Sequence, residues 1–112
     1  MNATLLSSLQ NNRNKISTED LIANFPDGIT VNAFDFATVQ DKTFAVVTFV
    51  EDDTKYYNGG TVLTKMCLAW AAGFDGDPES ASIALGKSGG VKLKFAESKT
   101  KNGNNVTTIT VV

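Results

Sequence analysis

The hydrophobic period of this chain changes at Gly28, and that change constrains the fold more than any other feature. Before it, apolar residues recur at helical steps: Leu5, Leu6 and Leu9 near the amino terminus, then Leu21, Ile22 and Phe25 in STEDLIANFPDG. Ser17 followed by Asp20 resembles a capping box with aspartate in the acidic position, and Glu19 and Asp20 suit the positive end of a helix. Pro26 with Asp27-Gly28 stops it. Behind Gly28 the period becomes two, as in strands.

ITVNAFDF, residues 29–36, places Ile29, Val31 and Ala33 on one face and Thr30, Asn32, Phe34 and Phe36 on the other. TFAVVTFV, residues 43–50, is apolar on both faces, as expected of a strand curling through a core. ATVQDK between them has the length of a hairpin connection. After the acidic turn Glu51-Asp52-Asp53, KYYN reads as a short third strand that Gly59-Gly60 breaks. Thr61 can then cap an amphipathic helix in which Val62, Leu63, Met66, Cys67, Trp70 and Phe74 recur at steps of three and four, closed by Gly73. Asp77 as cap and Pro78 as first helical residue predict a second short helix to Leu85, ended by Gly86. VKLKFAE and NNVTTITVV follow as two strands, joined by SKTKNG, whose Asn102-Gly103 is a strong hairpin signal.

At 112 residues the chain is expected to form one core. Its order is helical pieces, then three strands, a helix and two strands. That predicts a mainly β fold: a five-stranded OB-like barrel over residues 28–112, with a helix between strands three and four. Residues 1–27 would be an amino-terminal helical extension. The face carrying Leu63, Met66 and Trp70 would plug the open end of the barrel. An antiparallel α+β sheet with helices on one side is the alternative.

Chemistry is sparse. The chain has no histidine, which removes the usual general base and the commonest metal ligand. Cys67 is the single cysteine and has no histidine to activate it, so a buried thiol is expected. Gly59-Gly60 lacks the lysine and spacing of a phosphate-binding loop. Glu51-Asp52-Asp53 reads as a solvated turn, and Asp75-Gly76-Asp77 lacks the length and terminal glutamate of a calcium loop. Neither a catalytic set nor a metal or cofactor site is expected. No segment has the pattern of a signal peptide or a membrane span, which predicts a cytosolic protein without a membrane partner.

The paired aromatics closing strand three, the GGT start of the helix and the lysine hairpin KLKFAESKTKNGNNVTTITVV resemble small OB-fold single-stranded DNA-binding proteins of bacteriophages and mobile elements. The resemblance covers roughly residues 28–112 and rests on topology and residue character. It implies sequence-tolerant binding of single strands across the barrel face, often by a homo-oligomer, in replication or recombination inside a bacterial host cell.

Such a binder needs aromatic faces for bases and cations for phosphates. Twelve acids against ten bases give a net charge of −2, so any basic surface must be local. From Lys87 to Lys101 there are five lysines and one acid, Glu97. Lys92 and Lys94 share a strand face, and Lys99 and Lys101 sit on the hairpin beyond. Outward lysines also keep strands soluble without binding anything. Phe34 faces away from Ile29 and Val31 if alternation is unbroken, whereas a bulge near Ala33 buries it. Tyr56 and Tyr57 must face opposite sides of their strand, so one is expected in the core and the other toward solvent or a ligand. Trp70 reads as core. A second reading is a protein-interaction module or inhibitor that docks through Leu5, Leu6 and Leu9 and meets a basic partner with its acidic stretch from Asp35 to Asp53.

Overall fold

The computed structural model describes residues 9, 13–99, 101–103 and 105–112, and their side chains apart from those of 98, 99 and 105. Leu5 and Leu6 lie outside the described residues. Six strands form one sheet: β1 (Asn14–Lys15), β2 (Ile29–Val39), β3 (Lys42–Phe49), β4 (Lys55–Asn58), β5 (Val91–Lys99) and β6 (Asn105–Val111). Their order is β1-β4-β3-β2-β5-β6, with β1 parallel to β4 and every other pair antiparallel. Three helices complete the described residues: α1 (Thr18–Asn24), α2 (Thr61–Ala72) and α3 (Pro78–Lys87).

The sheet is a curled half-barrel, and one ring pair demonstrates the curl. Tyr57 on β4 and Phe95 on β5 are separated by β3 and β2, which in a flat sheet means about 14 Å. Their ring centroids lie 5.6 Å apart, edge to face. The concave side therefore closes on itself around Ile29, Val31, Phe34, Val47, Phe49, Leu63 and Leu93, all at most 1% exposed.

The architecture is mainly β, as the periodicity predicts, but strand count and helix placement differ from expectation. A sixth strand is present, and both helices read after Gly60 and Asp77 lie between β4 and β5, where the barrel reading placed one. The extra strand is β1, too short to show a period: the Asn14 N–H donates to the Thr54 carbonyl at 2.8 Å and the Ile16 N–H to the Tyr56 carbonyl at 2.9 Å. Ile16 and Leu21 belong to the core cluster, so the boundary expected at residues 27 and 28 does not divide the core. Ser17 caps α1 by accepting from the Asp20 N–H at 3.2 Å.

A bulge sets the direction of β2. Val31 pairs with Phe49 but Ala33 pairs with Thr48, two residues on one strand against one on the other. Beyond it Phe34 turns inward, fully buried, with Phe36 packed edge-on at 5.8 Å and Trp70 at 5.9 Å. β5 pairs with β2 only over Ile29–Val31, which leaves the next backbone groups of β2 needing other partners. Ser82 of α3 supplies them: its hydroxyl accepts from the Phe34 N–H at 2.9 Å and donates to the Phe34 carbonyl at 2.8 Å. Thr64 of α2 does the same on β3, accepting from the Ala45 N–H at 3.0 Å while donating to the Gly60 carbonyl at 2.8 Å.

The helices also rotate relative to expectation. The buried residues of α2 are Leu63, Thr64, Cys67 and Ala71, with Met66 and Trp70 half-buried, while Val62 and the following Phe74 are exposed. Asp77 caps α3 and Pro78 opens it, as read from the sequence. Gly86 does not end it; the helix runs to Lys87 and the chain turns through Gly89 and Gly90, both at positive φ. A Cβ on Gly90 would meet the Val31 carbonyl oxygen and the Thr30 side chain at 2.6 Å, so only glycine fits where this turn leads from α3 into β5 against β2.

Candidate nucleic-acid interface

The two tyrosines divide as strand geometry requires. Tyr57 points into the core, 6% exposed, and its hydroxyl shares a 2.7 Å hydrogen bond with the Thr18 hydroxyl. Tyr56 points to the outer face and is half-buried. Phe34 and Tyr57 are thus corrections to the expected binding set: neither ring offers a face on which a base can stack. Their inward direction follows from the bulge at Asn32 and Ala33 and from alternation along β4.

The outer face of β3 carries an aromatic that its uniformly apolar sequence hides. Alternation with buried Ala45, Val47 and Phe49 puts Lys42, Phe44, Val46 and Thr48 on the outer side. Phe44 lies where the β2–β3 hairpin extends past the end of β4, so its ring keeps part of its surface open. The hairpin turns at Gln40 and Asp41, both in the left-handed region, with φ of 50° and 65°.

Phe44 forms one wall of a cleft of about 600 Å³ bounded by Lys15, Lys42, Thr43, Asn58, Gly59, Gly60, Thr61, Thr64 and Lys65. Three separate elements deliver its cations: β1 brings Lys15, the hairpin brings Lys42 and the first turns of α2 bring Lys65. All three lysines are exposed, and none of the residues bounding the cleft is an Asp or Glu. Lys15 is the register partner of Tyr56, so that tyrosine lies on the strand beside a cleft cation although it does not itself bound the cleft. Gly60 caps α2 without a side-chain acceptor for its first N–H groups, and this positive helix end adds to the lysines.

Gly59 and Gly60 have different jobs. A Cβ on Gly59 would stand 2.6 Å from the Leu63 side chain, whereas one on Gly60 would meet nothing within 4 Å. The first glycine lets the strand end pack on α2, and the second leaves the cleft open. Asn58 lies beside them with its Oδ1 buried and without a hydrogen-bond partner.

The curl brings a second cavity to the other side of this wall. About 370 Å³ in volume, it shares Asn58, Gly59, Gly60 and Thr61 with the cleft and is closed by Thr18, Tyr57, Val106, Thr107 and Ile109. Val106 and Thr107 lie on β6 close to the turn of the β5–β6 hairpin, whose tip carries exposed Lys101. Lys99 pairs with Asn105 in that hairpin, and its side chain lies outside the described residues.

Lys92 and Lys94 are exposed and share the outer face with Tyr56, but β3 and β2 intervene. Between them lies Glu51, which accepts from the Thr30 N–H at 2.7 Å and from the Thr30 hydroxyl at 2.8 Å. Burial would raise the Glu51 pKa, but these donors and nearby Lys92 hold it below the ordinary glutamate range. The structure thus keeps Tyr56 on the strand beside Lys15, sets Lys92 and Lys94 apart, leaves Lys101 on a hairpin that does not bound the cleft, and adds Lys15, Lys42, Phe44 and Lys65. Phe44 could have been found by applying strict alternation to TFAVVTFV; the three added lysines are isolated in sequence and carry no such signal.

Cys67 is fully buried, and desolvation pushes its thiol up to about 12, outside any nucleophilic role. Among the described residues no group of three or more Cys, Asp or Glu is arranged to hold a metal ion. No helix there is long and apolar enough to cross a membrane. No family model, curated protein or solved structure matches this chain.

Proposed function

We propose that this chain binds single-stranded DNA with little sequence preference, at the cleft between the β2–β3 hairpin and the start of α2. The observation that carries the reading is the meeting of the partly open Phe44 with Lys15, Lys42 and Lys65 around one cleft, with half-buried Tyr56 on the strand beside Lys15. Rings supply stacking that every base can use, and ammonium groups supply contacts to phosphates. The cleft has the size of a small-ligand site but is open along its length, which suits a strand passing through.

The fold supports the same reading. With β2 to β6 counted as strands one to five, the order β4-β3-β2-β5-β6 is that of an OB-like barrel opened between its third and fifth strands. The cleft lies on the face of the second and third of these and is bordered by the β2–β3 hairpin, while the β5–β6 strands border the neighbouring cavity that shares its Asn58–Thr61 wall; these are the regions at which OB-folds take oligonucleotides. A net charge of −2 is compatible, since three of the ten basic residues converge on the cleft without a lining acid.

Titration of the protein with oligothymidine at increasing salt tests the proposal. Binding at low salt that weakens steadily as salt rises is expected. Absence of binding at low salt rejects the reading, and affinity independent of salt rejects the role of the lysines.

A further inference from the structure

The two ends of α2 differ in character. Its first turns border the cationic cleft, but from Met66 to Gly86 the chain carries three acids, Asp75, Asp77 and Glu79, and no base. MCLAWAAGF, residues 66–74, has no charged side chain, yet much of it lies at the surface. Leu68 is 51% exposed, Phe74 is 41% exposed, and Ala69 and Ala72 between them in sequence are exposed as well. A contiguous apolar surface on a folded chain marks a place of contact.

Trp70 and Phe74 carry this surface into a cavity of about 240 Å³ between α2 and α3, floored by buried Phe34 and Ala81 and bounded on the α3 side by Ala84 and Leu85. Apart from Ser88 its lining is aliphatic or aromatic. The volume falls below the range of about 300 to 1,000 Å³ in which pockets enclose whole small molecules, and suits one large side chain inserted from outside. The charges beside it are negative. Asp75 follows Phe74, and the Asp77 N–H donates to the Phe74 carbonyl at 3.0 Å, which sets both exposed acids at this end of the cavity. α2 ends there with no basic residue in its last turn, so the negative end of the helix adds to them. Lys87 stands at the other end of α3, beside Ser88.

We infer that this cavity and the apolar face of α2 beside it dock a basic segment of a partner protein, which inserts one leucine or phenylalanine side chain and surrounds it with lysine or arginine. The inserted side chain displaces water from an apolar pocket and anchors the contact. The cations meet Asp75, Asp77 and the carboxyl end of α2, and set which partners are accepted. The same negative charges repel an anionic lipid surface, which disfavours a membrane as occupant. The inference does not depend on the reading of the cleft, because the two sites lie at opposite ends of α2.

Trp70 is the single tryptophan of the chain and lines the cavity, so its fluorescence reports occupancy. The probe is a synthetic amphipathic peptide with phenylalanine and leucine on one face and arginine on the other. A saturable change in Trp70 emission is expected, with affinity that falls as salt rises. Peptides with glutamate in place of arginine, or alanine in place of phenylalanine and leucine, should give no change. Ala84→Arg, which fills the cavity from a half-buried position, and Phe74→Ser, at an exposed one, should each abolish the response, and far-ultraviolet circular dichroism checks that each retains the fold. No response to the arginine peptide overturns the inference, as does an equal response to the glutamate peptide or an unchanged response in the folded variants. In sedimentation of the protein alone, equal mass for wild type and both variants is expected. An assembly that the variants dissociate would make a second copy the occupant and overturn the assignment to a partner protein.

Discussion

At the scale of single residues, the structure distinguishes side chains that the sequence presents as equals. Phe44 and Tyr56 keep accessible ring surface, while Phe34 and Tyr57 do not. Phe44→Ala and Tyr56→Ala should each weaken oligothymidine binding by about 1 to 3 kcal/mol, measured by fluorescence titration. Tyr57→Phe should leave affinity unchanged and lower stability by about 1 kcal/mol, the contribution of its bond to Thr18. Asp35 is fully buried on the outer face, with its Oδ1 accepting from the Phe36 N–H at 2.7 Å and its Oδ2 unpaired. Desolvation raises its pKa above the ordinary 3.8, the Phe36 donor opposes this, and Asp77 and Glu79 add to the rise. A carboxyl whose pKa is raised by folding binds its proton more tightly in the native state, so stability falls as pH rises through the interval from 3.8 to the native value. The penalty is complete above that interval. Asp35→Asn should therefore raise the urea midpoint at pH 7 to 8, with the gain shrinking as pH drops through the same interval.

At the scale of elements, hydroxyl groups on helices finish the sheet. The Ser82 side chain closes both backbone groups of Phe34, and Thr64 closes the Ala45 N–H. Ser82→Ala leaves a buried donor and a buried acceptor together, which should cost about 2 kcal/mol in a urea melt. Exposed Ser88→Ala, near the end of the same helix, should cost far less. These contacts explain why helix existence was legible and helix orientation was not. The apolar steps in TVLTKMCLAWAAGF, the cap at Asp77 and the proline after it all appear as read. Which stripe of α2 turns inward depends on Thr64 reaching β3, a polar contact that apolar periodicity cannot register. The bulge in β2 is similar: it was visible as an option near Ala33, but only the pairing of Val31 with Phe49 and Ala33 with Thr48 selects it.

At the scale of the whole molecule, the distribution of charge matters more than its sum. Lys15, Lys42 and Lys65 come from three elements, and the cleft exists because β1 pairs with β4 beside the start of α2. Lys15→Ala, Lys42→Ala and Lys65→Ala combined should reduce the salt slope of oligothymidine binding by about 2, at about 0.7 per phosphate contact.

Local pattern was enough for the elements that a period, a cap or a turn residue specifies: the five longer strands, the helices after Thr61 and Asp77, and the opposed directions of Tyr56 and Tyr57. Those features depend on neighbours a few residues apart, whose chemistry is written side by side. The curl that sets Tyr57 against Phe95, the two-residue strand of Asn14 and Lys15, and the gathering of lysines from positions 15, 42 and 65 depend on contacts between distant segments. Sequence periodicity carries no record of such contacts, because a pair of residues acquires an energy of interaction only after the chain has brought them together.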